Sequence, residues 1–526
     1  MGSFHVALIL SALMELAVGA KILAFLPFPA KSHHIAFQPI IRELANRGHR
    51  VDFYTPIKLP NPPKSLKQIM IKDILSDIHG SLNMKQLMTQ TIMRNSQTIS
   101  ELCIMVAERL FNEEPKLAEL VKSNATYDAV ILELHFGQEY QAALIHKFKA
   151  LGIAVVPLLD SAWVNELAGL PDNPSYMIDF KMVATDKMSF FERLQNLYTW
   201  AGTNLVSYYF AMTKQQELAD RYIRDYEGWE SRPSVLQLSS DVALILSNSH
   251  RSLGYAYPKA PHVKEVGGMN LNPPKPLPKD LQSFMDSADY GVIYFSYGSN
   301  VDMKQIMSPD KFNAFHDKFK SLKQKVLWKW AGEDRPKVVA SNILVQEWFP
   351  QQDILAHKNC KLFITHGGLM STIEAINYAV PLIGTSVFGD QPKNMRFIEA
   401  NSLGINLQYD NITATSVSWA IDEILSNPMY KDSITRQSAL FRDRPRQPVD
   451  EGVYWIEYVL KHGKVLQPQS VHMPFYQVYL LDIIAALLGT SIFIIYIASL
   501  AWKALFSALC KKSTQQKLTK DSKKKR

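Results

Sequence analysis

Short apolar runs alternating with helical patterns, broken once by Asn272-Pro-Pro-Lys-Pro-Leu-Pro278, constrain this chain more than any other feature. Lys21 to Pro27 reads as a buried strand, Phe37 to Gly48 as the following helix with Gly48 as its stop, and Val51 to Tyr54 as the next strand. Apolar runs at Ala129 to Leu134 and Ala154 to Leu159 continue the series. Strands alternating with helices predict a parallel sheet covered on both faces. Four prolines within seven residues suit neither a helix nor a central strand, so this segment reads as a linker. The rhythm then restarts with Val292 to Tyr297, Lys325 to Trp328, Leu344 to Glu347, Leu362 to Thr365, Pro381 to Thr385 and Ile405 to Gln408. Two α/β domains on a short linker predict a cleft between them. Ser81 to Lys122 and Met188 to Tyr226 are helical patterns rich in Met, Phe and Tyr. Met84, Met88, Met93 and Met105 there suit an adaptable apolar pocket or plain core filling.

Both ends carry membrane signals. Val6 to Val18 is an apolar run followed by small residues through Ala20, the pattern of a cleaved signal peptide, although no Lys or Arg precedes it and Glu15 interrupts it. Ile483 to Trp502 has no charge and is long enough to cross a bilayer. The segment from Lys503 to Arg526 carries nine basic residues and one acid, which accounts for the whole formal charge of +8. The rest is charge-balanced, which removes the main support for nucleic-acid binding. The basic tail marks the cytosolic side, so the expected topology is single-pass type I with a lumenal body. Lys523 and Lys524 match a dilysine retrieval address and point to the endoplasmic reticulum membrane; a solvated stop-transfer tail is the alternative. The expected segments are a signal peptide over 1–20, a first domain over 21–265, a linker over 266–280 and a second domain over 281–447. A return helix and juxtamembrane stretch over 448–482, a transmembrane helix over 483–502 and the tail over 503–526 complete the chain.

Three cysteines (Cys103, Cys360, Cys510) form no disulfide framework and have no metal-site spacing. Asn124-Ala-Thr and Asn411-Ile-Thr are glycosylation sequons, whereas proline excludes Asn173-Pro-Ser.

The stretch FITHGGLMSTIEAINYAVPLIGTSVFGDQ, Phe363 to Gln391, carries the densest chemistry. His366-Gly367-Gly368 is predicted to be the turn between a strand and the Leu369 to Tyr378 helix, where open α/β sheets bind ligands. Glycines let backbone N–H groups approach an anion, the helix N-terminus adds partial positive charge, and Ser371 adds a hydroxyl. A phosphate fits such a turn. Glu374 faces the same site from the helix and offers acceptors to a ribose diol, so a nucleotide fits better than bare phosphate.

Trp348-Phe-Pro-Gln351, His366-Gly-Gly, Ser371, Glu374 and Asp390-Gln391, in this order and spacing, resemble the signature of the UDP-glycosyltransferases (glycosyltransferase family 1). FSYGSN (Phe295 to Asn300), DEGVYWIEYVLKHG (Asp450 to Gly463), the signal peptide and the anchored basic tail extend the resemblance over essentially the whole chain, toward membrane-anchored animal members and insect ones in particular. The resemblance implies an α/β GT-B fold, two Rossmann-like domains facing a cleft, with the first taking a small lipophilic acceptor and the second a UDP-sugar, plus the C-terminal transmembrane helix. Trp348 is implied to stack on uracil and Gln351 to help hold base or ribose. His366, Ser371, Gly368 and Ser299 are implied for the diphosphate, Glu374 for the ribose hydroxyls, and Asp390 with Gln391 for the sugar. No cofactor or metal is implied. Detoxification is the kind of role implied, and oligomeric state, monomer or homo-oligomer, stays open. Met370 stands where most members carry Asn, which removes a polar contact near the phosphate or acceptor, and Ser386 where proline is common.

Transfer also needs a base for the acceptor's proton and a stabilised leaving diphosphate. Ser32-His33-His34 matches the family's serine-histidine pair and makes His33 the expected base, with His34 its rival. The orienting carboxylate expected at the end of the Tyr127 to Glu133 strand is Glu133, one methylene longer than the family's aspartate; Asp128 lies at the wrong end. The expectation is inverting transfer of a sugar, glucose first and glucuronate second, to a hydroxyl. A tethered lipophile-binding protein without turnover is the alternative, and Glu133 and Met370 are the features that raise it.

Overall fold

Apolar runs flanked by helices fold into two parallel sheets in the computed structural model, which describes residues 19–78, 90 and 92–524 except 136, 159, 160, 171, 299, 300, 302, 333, 334, 337 and 338. The signal-peptide run, Met84, Met88 and Ser299 lie outside the described residues, and of Met93 only the backbone is described.

The first sheet comprises β1 (Lys21–Phe25), β2 (Arg50–Thr55), β3 (Leu66–Met70), β4 (Ala129–Glu133), β5 (Leu151–Val156), β6 (Leu244–Ser247) and β7 (Val263–Glu265), in the order β3-β2-β1-β4-β5-β6-β7. The second comprises β8 (Val292–Ser296), β9 (Lys325–Lys329), β10 (Ile343–Gln346), β11 (Cys360–Thr365), β12 (Leu382–Gly384) and β13 (Gly404–Asn406), in the order β10-β9-β8-β11-β12-β13. Every pairing is parallel. Both faces of each sheet are buried: Val130 and Leu132 of β4 enter one core layer while Ala129 and Ile131 enter the other. In β8, Ile293 and Phe295 part company with Val292 and Tyr294 in the same way. This is why the central strands read as unbroken apolar runs.

Strand order reverses between β1 and β4 in one sheet and between β8 and β11 in the other. Loops leaving the carboxyl ends of those strands diverge, and a crevice opens at each.

Several boundaries differ from expectation. The first helix spans Lys31–Asn46, beginning well before Phe37, with Pro39 inside it and Ala30 as an N-cap that makes no side-chain bond. A proline and a missing capping side chain both argue for a later start, and burial of Phe37, Ile40, Ile41 and Leu44 overrides them. Gly48 ends that helix at φ +94°, as its position implied. Strands β3, β6 and β7 were not anticipated; β3 (LKQIM) is an edge strand of mixed polarity and β7 has three residues. β5 starts three residues before the expected Ala154. A helix over Lys279–Asp286 begins at the end of the proline run.

Chain through Val471 forms one compact body. Within it the Pro448–His462 helix packs on Lys31–Asn46, where Arg47 bonds Asp450 at 2.6 Å and a Cβ at Gly452 would press into Ile40 at 2.5 Å. His472–Arg526 is a second unit. It holds a helix over Leu481–Lys524 whose Leu481–Ser513 part is long and apolar enough to cross a membrane, and the basic tail continues that helix.

Candidate active site

Adjacent strands bring the expected base and its carboxylate together. β1 pairs with β4 in the register Phe25↔Leu132, so the helix entered after β1 starts beside the end of β4. His33, on the first turn of Lys31–Asn46, puts Nδ1 2.8 Å from Glu133 Oε1. Glu133 is buried while the His33 side chain keeps 16% of its surface exposed and lines the cleft. A carboxylate 2.8 Å from Nδ1 favours the tautomer with its proton on that nitrogen and leaves Nε2 as the one able to accept a proton. The extra methylene of Glu133 therefore reaches the imidazole within hydrogen-bonding distance.

The neighbouring imidazole is differently employed. His34 is buried, its Nε2 donates to the Phe28 carbonyl at 2.9 Å and its Nδ1 lies 3.2 Å from Thr55 Oγ1. Burial pushes its pKa down to about 4, so it stays neutral and structural. Asp128 accepts from the Lys21 N–H at 2.7 Å, at the opposite end of the strand from His33.

Across the cleft, β8 and β11 pair Ser296 with Thr365, which sets Gly298 beside His366. A Cβ at Gly298 or at Gly368 would lie 2.8 or 2.5 Å from the His366 ring, so only glycine lets both backbones close on it. Gly367 takes φ +81°, a left-handed conformation that favours glycine. Gly368 is the N-cap of the Leu369–Asn377 helix and supplies no side chain, which leaves that helix's first N–H groups open to an anion. Burial first, and then the Lys329 charge, push His366 down to about 4; the ring is neutral and carries one N–H to donate. Lys329, at the end of β9, donates to the Gly298 carbonyl at 2.9 Å and lines the same cleft as Lys31.

Glu374 is buried and fully engaged. Its Oε2 accepts from Gln351 Nε2 at 2.6 Å, and its Oε1 accepts from Gln352 Nε2 at 3.0 Å and Asn270 Nδ2 at 3.1 Å. Burial raises its pKa, and these three amides pull it back. Gln351 also reaches Ser371 Oγ at 3.2 Å, so three predicted donor-site residues form one network. Asn270 and Gln352 were missed. Gln352 directly follows a predicted residue, but nothing local marks Asn270, which precedes the proline run.

Asp390, at the N-cap position of the Gln391–Ala400 helix, makes no side-chain capping bond; it lines the cleft and accepts from Asn394 Nδ2 at 2.8 Å. Burial raises its pKa, and among the opposing influences is the charge of His33 on the other domain. The carboxylate assigned to the sugar thus lies within electrostatic reach of the assigned base. Gln391 Oε1 accepts from the Val387 and Phe388 N–H groups at 2.7 and 3.1 Å, so contact with a sugar would fall to its Nε2. Trp348 lies on the cleft wall with 61% of its surface exposed, leaving a ring face for a base.

The cleft has a volume of about 960 Å³ and takes residues from both domains. Met370, where an amide was expected, has its sulfur 3.3 Å from Asn248 Nδ2 of the first domain. An amide therefore reaches this spot from the opposite wall. Asn124 and Asn411 are both exposed, as glycan acceptors need to be.

The neutral buried histidines set an acid limit on stability. His34, His262 and His366 each fall to about 4 in the folded chain, against about 6.5 unfolded. The unfolded state binds more protons between those values, so stability is complete above pH 6.5 and is lost as pH falls toward 4. For the fully enclosed His34 and His262 the loss is on the order of 3 kcal/mol each. Thermal melts from pH 7 to 4.5 are expected to show a steadily falling midpoint, and a flat profile would contradict the neutral assignment.

A family model described as UDP-glucoronosyl and UDP-glucosyl transferase matches residues 20–516. UDP-glycosyltransferase UGT5 of Dactylopius coccus is 34% identical over 96% of this chain and 96% of its own length. UDP-glucosyltransferase 2 of the same insect is 31% identical over 97% and 98%, and UDP-glucuronosyltransferase 2B30 of Macaca fascicularis is 27% identical over 91% and 92%. Among solved structures, a UDP-glucosyltransferase from Polygonum tinctorium superposes with a TM-score of 0.56 at 15% identity, covering 84% of this chain and 99% of that one. The calicheamicin glycosyltransferase CalG4 gives 0.55 at 17% identity, with the same coverage. These similarities establish the GT-B fold.

Proposed function

This chain belongs to the UDP-glycosyltransferase family, and from that premise we propose that it is an inverting transferase moving glucose from UDP-glucose to a hydroxyl of a small lipophilic acceptor. The observation that carries the reading is the 2.8 Å contact between His33 Nδ1 and Glu133 Oε1 at the wall of a cleft whose other side is an open helix N-terminus. His33 Nε2 takes the acceptor's proton as the acceptor oxygen attacks the anomeric carbon; Glu133 stabilises the imidazolium that forms. The bond from that carbon to the diphosphate oxygen breaks on the opposite face, so an α-linked donor yields a β-glycoside. UDP leaves with its charge facing the Gly368 N-cap, Ser371 and His366. Trp348 stacks on uracil with Gln351 at base or ribose, Glu374 takes the ribose hydroxyls, Ser299 assists at the diphosphate, and Asp390 with Gln391 Nε2 orients the sugar.

Glucose is the first donor because a similar insect protein carries the name UDP-glucosyltransferase. Glucuronate is the competing donor, since similar mammalian proteins are named for it. The C-terminal apolar helix serves as a membrane anchor, with the body in the endoplasmic reticulum lumen, Asn124 and Asn411 glycosylated, and the tail cytosolic. UDP release by detergent-solubilised protein, with each donor across simple phenols and alcohols, tests the reaction. Acceptor-dependent release with UDP-glucose is expected. Ligand binding without UDP release from either donor would instead favour a carrier.

A further inference from the structure

Glu374 has little acceptor capacity left for a ribose. A carboxylate offers about four lone-pair sites, two on each oxygen. Glu374 Oε1 fills both of its own with Gln352 Nε2 and Asn270 Nδ2 at 3.0 and 3.1 Å, and Oε2 accepts from Gln351 Nε2 at 2.6 Å. One site remains, on Oε2, whereas a ribose presents two vicinal hydroxyls, each with a proton to donate. A second acceptor lies next door. Asn270 is 2% exposed, lines the cleft, and has a buried side-chain carbonyl, Oδ1, with no hydrogen-bond partner among the described residues. Buried polar atoms are almost always paired, because leaving one unpaired costs free energy. Turning the amide over does not relieve this: its oxygen would then face the Glu374 carboxylate, and the bond that Nδ2 donates would be lost.

We propose that Asn270 is a specificity residue for the nucleotide's ribose: its Oδ1 accepts from one ribose hydroxyl while Glu374 Oε2 accepts from the other. The inference rests on the reading of Glu374 as the ribose site and deepens it. Asn270 is held ready for this part. Val266 and Met269, just before it, are buried in the first domain's core layer with Ile22 and Ala24. Between them the chain is pressed too close for side chains: a Cβ at Gly267 would lie 2.7 Å from the Ser249 carbonyl oxygen, and one at Gly268, where φ is +94°, 2.9 Å from the Phe441 ring. The Asn270 backbone carbonyl accepts from Gln352 Nε2 at 3.0 Å and from Asn272 Nδ2 at 2.9 Å. Backbone and side chain are thus both fixed in advance, and the contact with a hydroxyl carries little ordering cost. Asn270 is rooted in the first domain's core and Glu374 stands on a helix of the second, so a ribose shared between them joins the domains at the linker. A deoxyribose can fill one of the two positions and not both.

The test is a double-mutant cycle in which the ligand is one partner. The detergent-solubilised full chain, as wild type and as Asn270→Ala, is titrated calorimetrically with UDP, 2′-deoxy-UDP and 3′-deoxy-UDP. Asn270→Ser takes the place of Asn270→Ala if the alanine chain melts below the assay temperature. Wild type is expected to bind both deoxy analogues more weakly than UDP. Asn270→Ala is expected to weaken UDP by roughly 5–10-fold, the loss of one hydrogen bond, and to abolish discrimination against one of the two analogues while keeping it against the other. Discrimination retained against both analogues, with UDP weakened, would overturn the proposal and leave Asn270 as a support for Glu374. Discrimination lost against both would overturn it too, since Asn270 would then act through Glu374. Equal wild-type affinity for all three ligands would show that neither hydroxyl is read, and wild type that binds no UDP would sink the donor-site reading and the proposal with it.

Discussion

Replacing His33 with alanine is expected to lower acceptor-dependent UDP release by about 10²–10⁴-fold while leaving UDP affinity unchanged. His33 has the only imidazole among the described residues that both lines the cleft and contacts a buried carboxylate, 2.8 Å from Glu133. The adjacent His34 cannot substitute: one nitrogen is held by the Phe28 carbonyl, the other faces Thr55, and burial keeps its pKa at about 4. UDP is expected to bind on the other wall, at His366, Ser371 and Glu374, so losing His33 removes transition-state stabilisation without removing ground-state binding. The expected signature is a fall in kcat with UDP binding by calorimetry as in wild type. A His33→Ala chain that turns over normally would remove His33 from the chemistry, and one that loses UDP binding would place it in the donor site instead.

Glu374→Ala is expected to act on both donor binding and stability. In the folded chain this one carboxylate accepts from Gln351, Gln352 and Asn270 at 2.6, 3.0 and 3.1 Å. Removing it leaves three amide donors facing one another in a buried space, and each unpaired group costs about 1–3 kcal/mol unless water enters. Donor KM is expected to rise by roughly 10–100-fold, the equivalent of losing a charged hydrogen bond to the ribose. Glu374→Gln is no conservative control here, because its own N–H₂ would point at a donor already present. Donor KM from UDP release and the thermal midpoint of the same preparation check the two effects together. An unchanged donor KM would dissociate Glu374 from the nucleotide, whatever happened to stability.

The residues legible in the sequence are those carried on single continuous segments. His366 to Ser371 and Glu374 lie on one strand, turn and helix, and local geometry restricts the residue type at the tightest points, with glycine where a Cβ would strike the His366 ring. β4, β8 and β11 were legible because a parallel strand buried on both faces is apolar throughout. What stayed hidden depends on tertiary neighbours. Lys329 reaches the Gly298 carbonyl because β9 lies beside β8, and no local pattern reports that pairing. Asn270 reaches Glu374 from within the linker, across 104 positions of sequence. Asn248 approaches Met370 only because two domains face each other, so the expected loss of an amide on one wall was readable while its counterpart on the other wall was not. The start of the first helix was misplaced for a related reason: burial of its apolar face outweighs Pro39 and the missing cap.

We propose that Glu133, despite its extra methylene, completes the His33 base. The most direct test compares acceptor-dependent UDP release by wild type, Glu133→Asp and Glu133→Gln at saturating UDP-glucose with a phenolic acceptor. A glutamine amide can donate to Nδ1 and so favours the tautomer whose Nε2 carries the proton, which disables the base without emptying the site. The expected result is a loss of about 10⁴-fold for Glu133→Gln, with partial activity for Glu133→Asp and UDP binding intact in both. Wild-type turnover by Glu133→Gln would contradict it.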